Sequence, residues 1–409
     1  MNNTNSKLFL INIIVLLSVT FTMRASTNML MTVVPVFSRY ILFANVFYVG
    51  LTATLYGIGA LISNVLINGR VNISKTPKVI TIFLFIMTLG IFLYIFTTNI
   101  FEVLLLSMIT GSTMGVVQPL LMTVTNLISP PDKRAKYIAA YTASLSLSLI
   151  FGVLLQGYIV SFIDLRYAFI IFFFISLISS VLMYTLSIRI KLPEVKKNLK
   201  FSEILAKASS SLKQGKVLFA MFGNIAYAFP FILLITYGSI IGTEYNGINP
   251  DVFFYLLASF YSLSFISRLI LSLKNVKNRD SLMYMSFIFS VIGYIVLGLS
   301  NNYIIFLVAL LILGVPHGTI FPISSFYIAT SIDIEYLNIV YSVFTFILNI
   351  IFFLIPFLFG LISQYYTIRF AIYITAIPMT ALMIISIIFN LRSKNETKNK
   401  NITLNYNKL

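Results

Sequence analysis

The stretch Gly111-Ser112-Thr113-Met114-Gly115-Val116-Val117-Gln118-Pro119 has a counterpart in Gly314-Val315-Pro316-His317-Gly318-Thr319-Ile320-Phe321-Pro322, its two glycines and its final proline matching after a shift of 203 residues. The same shift carries Gly157 onto Gly360, Arg166 onto Arg369 and Ala168 onto Ala371, so the register holds over more than fifty residues. With 19 Gly and 12 Pro in a chain of 409 residues, accident is a poor account of so many matches. Self-similarity at a long period decides architecture before any local pattern does. The repeated unit is half of the protein.

Composition names the solvent of those halves. The chain is 59% hydrophobic and 10% charged, whereas a soluble domain carries about 25% charged residues. Twelve apolar stretches approach or exceed the ~20 residues that a bilayer-spanning helix requires. They lie near 8-36, 43-67, 77-98, 101-128, 136-161, 166-190, 217-242, 251-273, 282-299, 303-329, 338-363 and 369-391, six in each copy. Lipid offers the backbone no hydrogen-bond partner, so spans are helices or closed barrels, and continuous apolar runs exclude the alternation of a barrel. The first stretch is too long for a signal peptide, contains Arg24 and is followed by eleven peers, so it reads as a retained helix. The absence of Cys excludes disulfides, thiolate metal sites and a thiol nucleophile. In the absence of Trp, 24 Tyr supply much of the interfacial aromatic belt.

The net charge of +17 is explained by where it sits. With the N-terminus in the cytoplasm, 24 of the 28 basic residues fall in cytoplasmic segments; Arg39, Arg166 and Arg369 fall outside, and Arg24 lies within the membrane. That asymmetry predicts a plasma-membrane protein with both termini cytoplasmic. A basic face drawn to anionic lipid suffices, and nucleic acid is not expected as a partner. The chain divides into a six-helix half over 1-190, a Lys-rich cytoplasmic linker over 191-216, a second six-helix half over 217-391 and an Asn- and Lys-rich tail over 392-409 that is expected to be disordered. Within the linker, Ile204, Leu205, Ala208 and Leu212 share one helical face away from Lys207 and Lys213, which fits either an in-plane amphipathic helix or a solvated tether. No phosphate-binding loop, dinucleotide fingerprint, zinc-binding His pair or carboxylate cluster is present, so no cofactor, metal or catalytic residue is expected.

Two six-helix halves joined by a basic loop resemble the major facilitator superfamily, a repeat-built transporter class. Local residues agree: Gly111 to Pro119, then Pro130-Pro131-Asp132-Lys133-Arg134, then Gly152 and Gly157, then Arg166-Tyr167-Ala168-Phe169 are similar to that family's pattern from its fourth to its sixth helix. Ser267-Arg268-Leu269 leading to Lys274, Lys277 and Arg279 is similar to its basic loop between the eighth and ninth. The resemblance covers about residues 10 to 390 and implies an all-α fold of twelve transmembrane helices in two pseudo-symmetric halves. Three departures stand out. The loop from Asn64 to Lys78 keeps Gly69, Arg70 and Lys75 but lacks the family's usual Asp. Ser107 stands where proton-driven antiporters of the family often carry Arg. Helix 5 reads Gly152-Val153 where many drug/proton antiporters have Gly-Pro.

Polar residues near the membrane midplane are costly and point to a site. Arg24 lies about sixteen residues after Leu8 and twelve before Val36, with Asn28 and Met31 on its face at i+4 and i+7. A fixed cation there favours a substrate bearing a carboxylate or another anion; the structural alternative is an Arg tied to helix-end carbonyls or to a Gln. His317, the single His, could exchange a proton or bond a substrate, or pack as a neutral ring in a kinked helix. Asn224 and Tyr227, together with Gln118 and Gln156, are further substrate candidates, with interhelical hydrogen bonding as the alternative. Gly111, Gly115, Gly152, Gly157, Gly314 and Gly318 read as close-packing positions, and Pro119 and Pro322 as kinks that let the halves move. All eleven acidic residues lie in loops or towards the ends of spans. Together these features predict a monomeric secondary transporter in the lipid bilayer. Its substrate is a small organic solute, an anionic metabolite or a drug-like compound for efflux, moved by alternating access with or without a coupling ion. A receptor or sensor on the same fold is the other reading.

Overall fold

The structure, a computed structural model, describes residues 3–68, 70–130, 134–190, 192, 212–273, 278–332 and 334–406. Its elements are α1 (Asn3–Tyr40), α2 (Val46–Ser63), α3 (Thr76–Leu93), α4 (Ile100–Ile128), α5 (Arg134–Phe162), α6 (Ala168–Arg189), α7 (Gly215–Ile240), α8 (Pro250–Leu273), α9 (Arg279–Leu299), α10 (Tyr303–Ser331), α11 (Ile334–Tyr365) and α12 (Ile368–Tyr406). Among the described residues, twelve helices are long and apolar enough to cross a membrane. α12 continues past 391 as one helix to Tyr406. Apart from Leu212, the amphipathic stretch anticipated in the linker lies outside the described residues, as do Gly69, Lys274 and Lys277.

Helix starts are written in the sequence as side-chain caps. Asn45, Asn99, Asn278 and Asn302 each accept a hydrogen bond from the backbone N–H three residues on, satisfying one of the free donors of a first turn. Pro77 occupies the opening turn of α3, where its missing N–H costs nothing.

The 203-residue repeat holds at the level of atoms. Asn99 caps α4 through the Glu102 N–H, and Asn302 caps α10 through the Ile305 N–H, both pairs separated by 203 in register. Thr97 Oγ1 donates to the Tyr94 carbonyl at 2.8 Å, and Ser300 Oγ donates to the Leu297 carbonyl at 2.8 Å. Arg166 then donates to the Thr97 carbonyl at 2.7 Å, and Arg369 to the Ser300 carbonyl at 2.7 Å. The repeated arginine therefore closes the carbonyl end of the third helix of each copy. Its position there complements the negative pole of that helix.

Close packing explains the repeated glycines. A Cβ at Gly111 would stand 2.0 Å from the Tyr56 carbonyl oxygen and one at Gly115 2.1 Å from that of Ala60, both on α2. In the second copy a Cβ at Gly318 would stand 2.3 Å from the Ser264 carbonyl oxygen on α8. Hydroxyls add polar glue between helices that lipid cannot drive together. Thr88 on α3 meets Ser176 and Ser180 on α6 at 2.7 and 2.9 Å, and Tyr294 on α9 meets Thr375 on α12 at 2.7 Å.

The chain forms two compact units, one of Met1–Lys196, Leu233–Tyr261 and Phe352–Tyr365, the other of Lys197–Ile232, Ser262–Ile351 and Tyr366–Leu409. The division cuts α7, α8 and α11 rather than following the chain midpoint. Within the first unit, the last turns of α7, the first half of α8 and the end of α11 are held on α1, α2 and α5. Arg39 pairs with Glu244, Nε to Oε1 at 2.7 Å, and Thr54 Oγ1 donates to the Phe353 carbonyl at 3.1 Å. Tyr237 donates to the Pro356 carbonyl at 2.8 Å directly over Gly50, where a Cβ would come within 1.8 Å of the hydroxyl.

Candidate functional site

Arg24 lies near the middle of α1, in the first unit. From it a polar ladder runs along one face of the helix, Arg24, Asn28 and Thr32 at i, i+4 and i+8. The guanidinium is within electrostatic reach of three phenolic hydroxyls, those of Tyr56 on α2, Tyr141 on α5 and Tyr261 on α8. Tyr261 donates to Asn28 Oδ1 at 3.2 Å, and Thr32 donates to Gln156 Oε1 at 2.7 Å. Both amide oxygens are thereby engaged. Both amide nitrogens, Asn28 Nδ2 and Gln156 Nε2, are buried without a hydrogen-bond partner, and so is the Tyr56 hydroxyl. Asn28 is 2% and Gln156 0% exposed, so unspent donors are costly there unless something accepts from them.

Gly152 makes room beside this ladder. A Cβ there would come 3.4 Å from the Ala25 carbonyl oxygen and 3.7 Å from Asn28 Nδ2. On the cytoplasm-predicted side of Arg24, Ile14, Leu17, Ser18, Phe21, Thr22 and Ser144 line an open groove of about 380 Å³ between α1 and α5. Phe21 packs on Phe151 at 5.3 Å between centroids, giving the groove an aromatic wall.

Among the described residues Arg24 makes no ion pair, and three of the acidic groups are engaged at helix ends. Glu102 accepts from Thr98 and Asn99 in the opening turn of α4, Glu244 holds Arg39, and Asp280 holds Lys216 and Lys394. The arrangement sets a cation within electrostatic reach of three phenolic hydroxyls, on a ladder that carries two unspent amide donors. Chemically, a guanidinium and a free amide N–H can donate to acceptor oxygens.

Of the other residues singled out in the sequence, Gln118 is half-buried on α4, and its backbone carbonyl accepts from Tyr141 at 3.4 Å. Asn224, Tyr227 and His317 belong to the second unit. There the His317 ring stacks on Phe231 at 4.4 Å and lies 5.8 Å from the Tyr227 ring, while its carbonyl accepts from Arg268 at 3.2 Å. Tyr227 donates to the Leu313 carbonyl at 3.2 Å, and Asn224 Nδ2 to the Ala220 carbonyl at 3.3 Å. The structure thus gathers Arg24, Asn28 and Gln156 into one ladder, and Tyr227 and His317 into a separate aromatic stack.

Several participants escape sequence reasoning. Tyr56, Tyr141 and Tyr261 carry no mark among 24 tyrosines, although each sits inside an apolar span rather than at its edge. Asp280 also looks like an ordinary helix-end acid. In the second unit it gathers Lys216 of α7, Tyr327 of α10 and Lys394 of α12, with Asn390 bonded to Lys216 at 2.5 Å. Asn68, just after α2, also carries no mark in the sequence; its Nδ2 donates to Asn64 Oδ1 and, at 2.9 Å, to the Gly115 carbonyl of α4.

Twelve helices, an internal duplication and a polar ladder inside an apolar bundle define a membrane carrier of the repeat-built kind. The sequence model of the Major Facilitator Superfamily matches residues 16–279 and 243–405, and the chain belongs to that superfamily. No curated protein matches it in sequence. Among solved structures, the nucleoside transporter NupG is similar with a TM-score of 0.72 at 12% identity, over 92% of this chain and 99% of that one. A peptide transporter, POT, in complex with sulfate is similar with a TM-score of 0.75 at 12% identity, over 94% of each chain. A bacterial homologue of the human lysosomal transporter Spinster, inward-facing and unoccupied, gives 0.68 at 12% identity over 95% and 97%. At such identities these likenesses concern the fold. The chain is therefore a multi-pass secondary transporter of a small solute that works by alternating access.

Proposed function

We propose that the solute carries a negative charge and that Arg24 is its counter-charge. The observation that carries this reading is a guanidinium within electrostatic reach of three tyrosine hydroxyls, on a polar ladder with two unspent amide donors and, among the described residues, without an ion-pair partner. A carboxylate or other oxyanion would accept from the guanidinium in bidentate fashion and take further bonds from Asn28 Nδ2 and Gln156 Nε2. Charge-assisted bonds of this kind contribute about 1.5–3 kcal/mol each. One such bond is enough to separate an acid from its neutral amide by more than tenfold in affinity.

A single chain holds both copies of the repeat, which supports a monomer as the working unit. The basic residues put both termini in the cytoplasm. On that orientation, Arg39–Glu244 and Tyr237–Pro356 lie towards the outer side and Thr54–Phe353 near mid-span beneath them, and together, as a latch, they must part for the site to face outward. A transport assay separates a carrier from a receptor on the same fold. Proteoliposomes loaded with unlabelled benzoate, lactate or succinate should accumulate the labelled acid transiently, and Arg24→Gln should abolish this. Saturable binding without any counterflow would favour a receptor.

A further inference from the structure

Arg24 has a kinetic consequence that goes beyond binding. On the reading proposed above, the loaded carrier is close to neutral at its centre, because the substrate's anion meets the guanidinium. The unloaded carrier keeps one positive charge without a carboxylate partner, since none of the eleven acidic residues lies in the interior of an apolar span and, among the described residues, Arg24 makes no ion pair. Alternating access passes through a state closed on both sides. With substrate bound, a neutral pair enters that state; without it, a bare guanidinium must be withdrawn from water. Placing an Arg at the centre of a membrane helix disfavours that state by about two orders of magnitude even on the mildest scale.

From this asymmetry we infer that the protein is an anion exchanger, in which Arg24 restrains the empty carrier from reorienting and an anion must occupy the site in both directions of the cycle. One-way flux is therefore slower than exchange by about a hundredfold, the ratio set by the unpaired charge. The contacts of the first unit supply a reporter of reorientation. There Thr54 is 4% exposed and bonded to the Phe353 carbonyl. A carrier restrained in this conformation keeps Thr54 shielded until an anion binds.

The natural absence of Cys makes the test clean. Thr54→Cys in the full chain, reconstituted in vesicles, places a single thiol under the latch, and a membrane-impermeant maleimide reports its opening. Without anion, labelling should be slow with Arg24, equally slow with Arg24→Lys, and at least tenfold faster with Arg24→Gln, which removes the charge. Equal labelling rates for Arg24 and Arg24→Gln without anion would overturn the inference. In parallel, of the four test anions benzoate, lactate, succinate and inorganic phosphate, the labelled monoanions benzoate and lactate, which neutralise one guanidinium, are offered to vesicles of the unsubstituted protein, either preloaded with the same unlabelled anion or empty. Uptake about a hundredfold faster into preloaded vesicles supports exchange, and equal initial rates overturn it even if Arg24→Gln does not fold. If none of the four anions shifts thermal unfolding, the anionic-substrate reading fails and exchange with it, whereas binding with equal fluxes rejects exchange alone.

Discussion

The Tyr261 hydroxyl, on the eighth helix, donates to Asn28 Oδ1 at 3.2 Å, so the carbonyl of that amide is fixed while its Nδ2 is left without a partner. The bond orients a donor one helical turn beyond Arg24. Interhelical hydrogen bonds in membranes contribute only about 0.6–2 kcal/mol, so its chief effect is expected in orientation. Tyr261→Phe should lower the unfolding temperature slightly while weakening anion binding about tenfold. Thermal unfolding with and without benzoate measures both quantities, and a loss of stability with unchanged affinity would make the bond purely structural.

Gly152 and Gly111 give a paired prediction about space. At Gly111 a Cβ would drive into the α2 backbone, which cannot yield as a flexible side chain can, and Gly111→Ala should destabilise by about 1–3 kcal/mol or prevent folding. Gly318→Ala should behave alike, for the same reason on α8. At Gly152 the added methyl meets only ordinary contacts but narrows the room beside Asn28 Nδ2. Gly152→Ala should therefore fold normally and bind anions more weakly. Equal unfolding temperatures for Gly111→Ala and Gly152→Ala would contradict this packing account.

Arg39 and Glu244 are each about a third exposed, with side chains 28% and 31% accessible. Solvent screens such a pair, and its contribution to stability is at most about 1 kcal/mol. Its influence should appear instead in the opening of the latch. Arg39→Glu should speed maleimide labelling of Thr54→Cys, and the reversed pair Arg39→Glu with Glu244→Arg should slow it again. Failure of the reversal to restore slow labelling would remove the ion pair from the latch.

In the second unit, Asp280 is 9% exposed and serves two lysines and the Tyr327 hydroxyl. Asp280→Asn leaves those lysines without their carboxylate and should destabilise by about 1.5–3 kcal/mol. Thermal unfolding checks it, and a change smaller than about 0.5 kcal/mol would show that solvent already carries those charges. His317 poses a different question. Its stacking on Phe231 at 4.4 Å predicts that His317→Phe keeps the stability that His317→Ala loses, by about 0.5–1.5 kcal/mol beyond the area lost.

The fold was legible because hydropathy, charge asymmetry and the 203-residue repeat are properties of whole spans. Gly111 against Tyr56 and Arg166 against Thr97 show why the repeat persists: a backbone contact and a helix-end carbonyl admit few other residue types. The site was legible only where a residue was improbable in its surroundings, as Arg24 is in an apolar span. Tyr56, Tyr141 and Tyr261 are ordinary membrane residues, and only the packing of α2, α5 and α8 brings their hydroxyls to one guanidinium. Asp280 was hidden for a related reason, since its lysines come from helices 64 and 114 residues away.

The most direct measurement compares acids with their own amides. Purified protein and its Arg24→Gln variant are heated with benzoate or benzamide, lactate or lactamide, succinate or succinamide, each pair differing in charge and hardly in shape. The account predicts that at least one acid raises the unfolding temperature where its amide does not, and that Arg24→Gln erases the difference. An amide that stabilises as well as its acid, or an acid whose effect survives Arg24→Gln, would contradict the assignment of Arg24 as the counter-charge of the substrate.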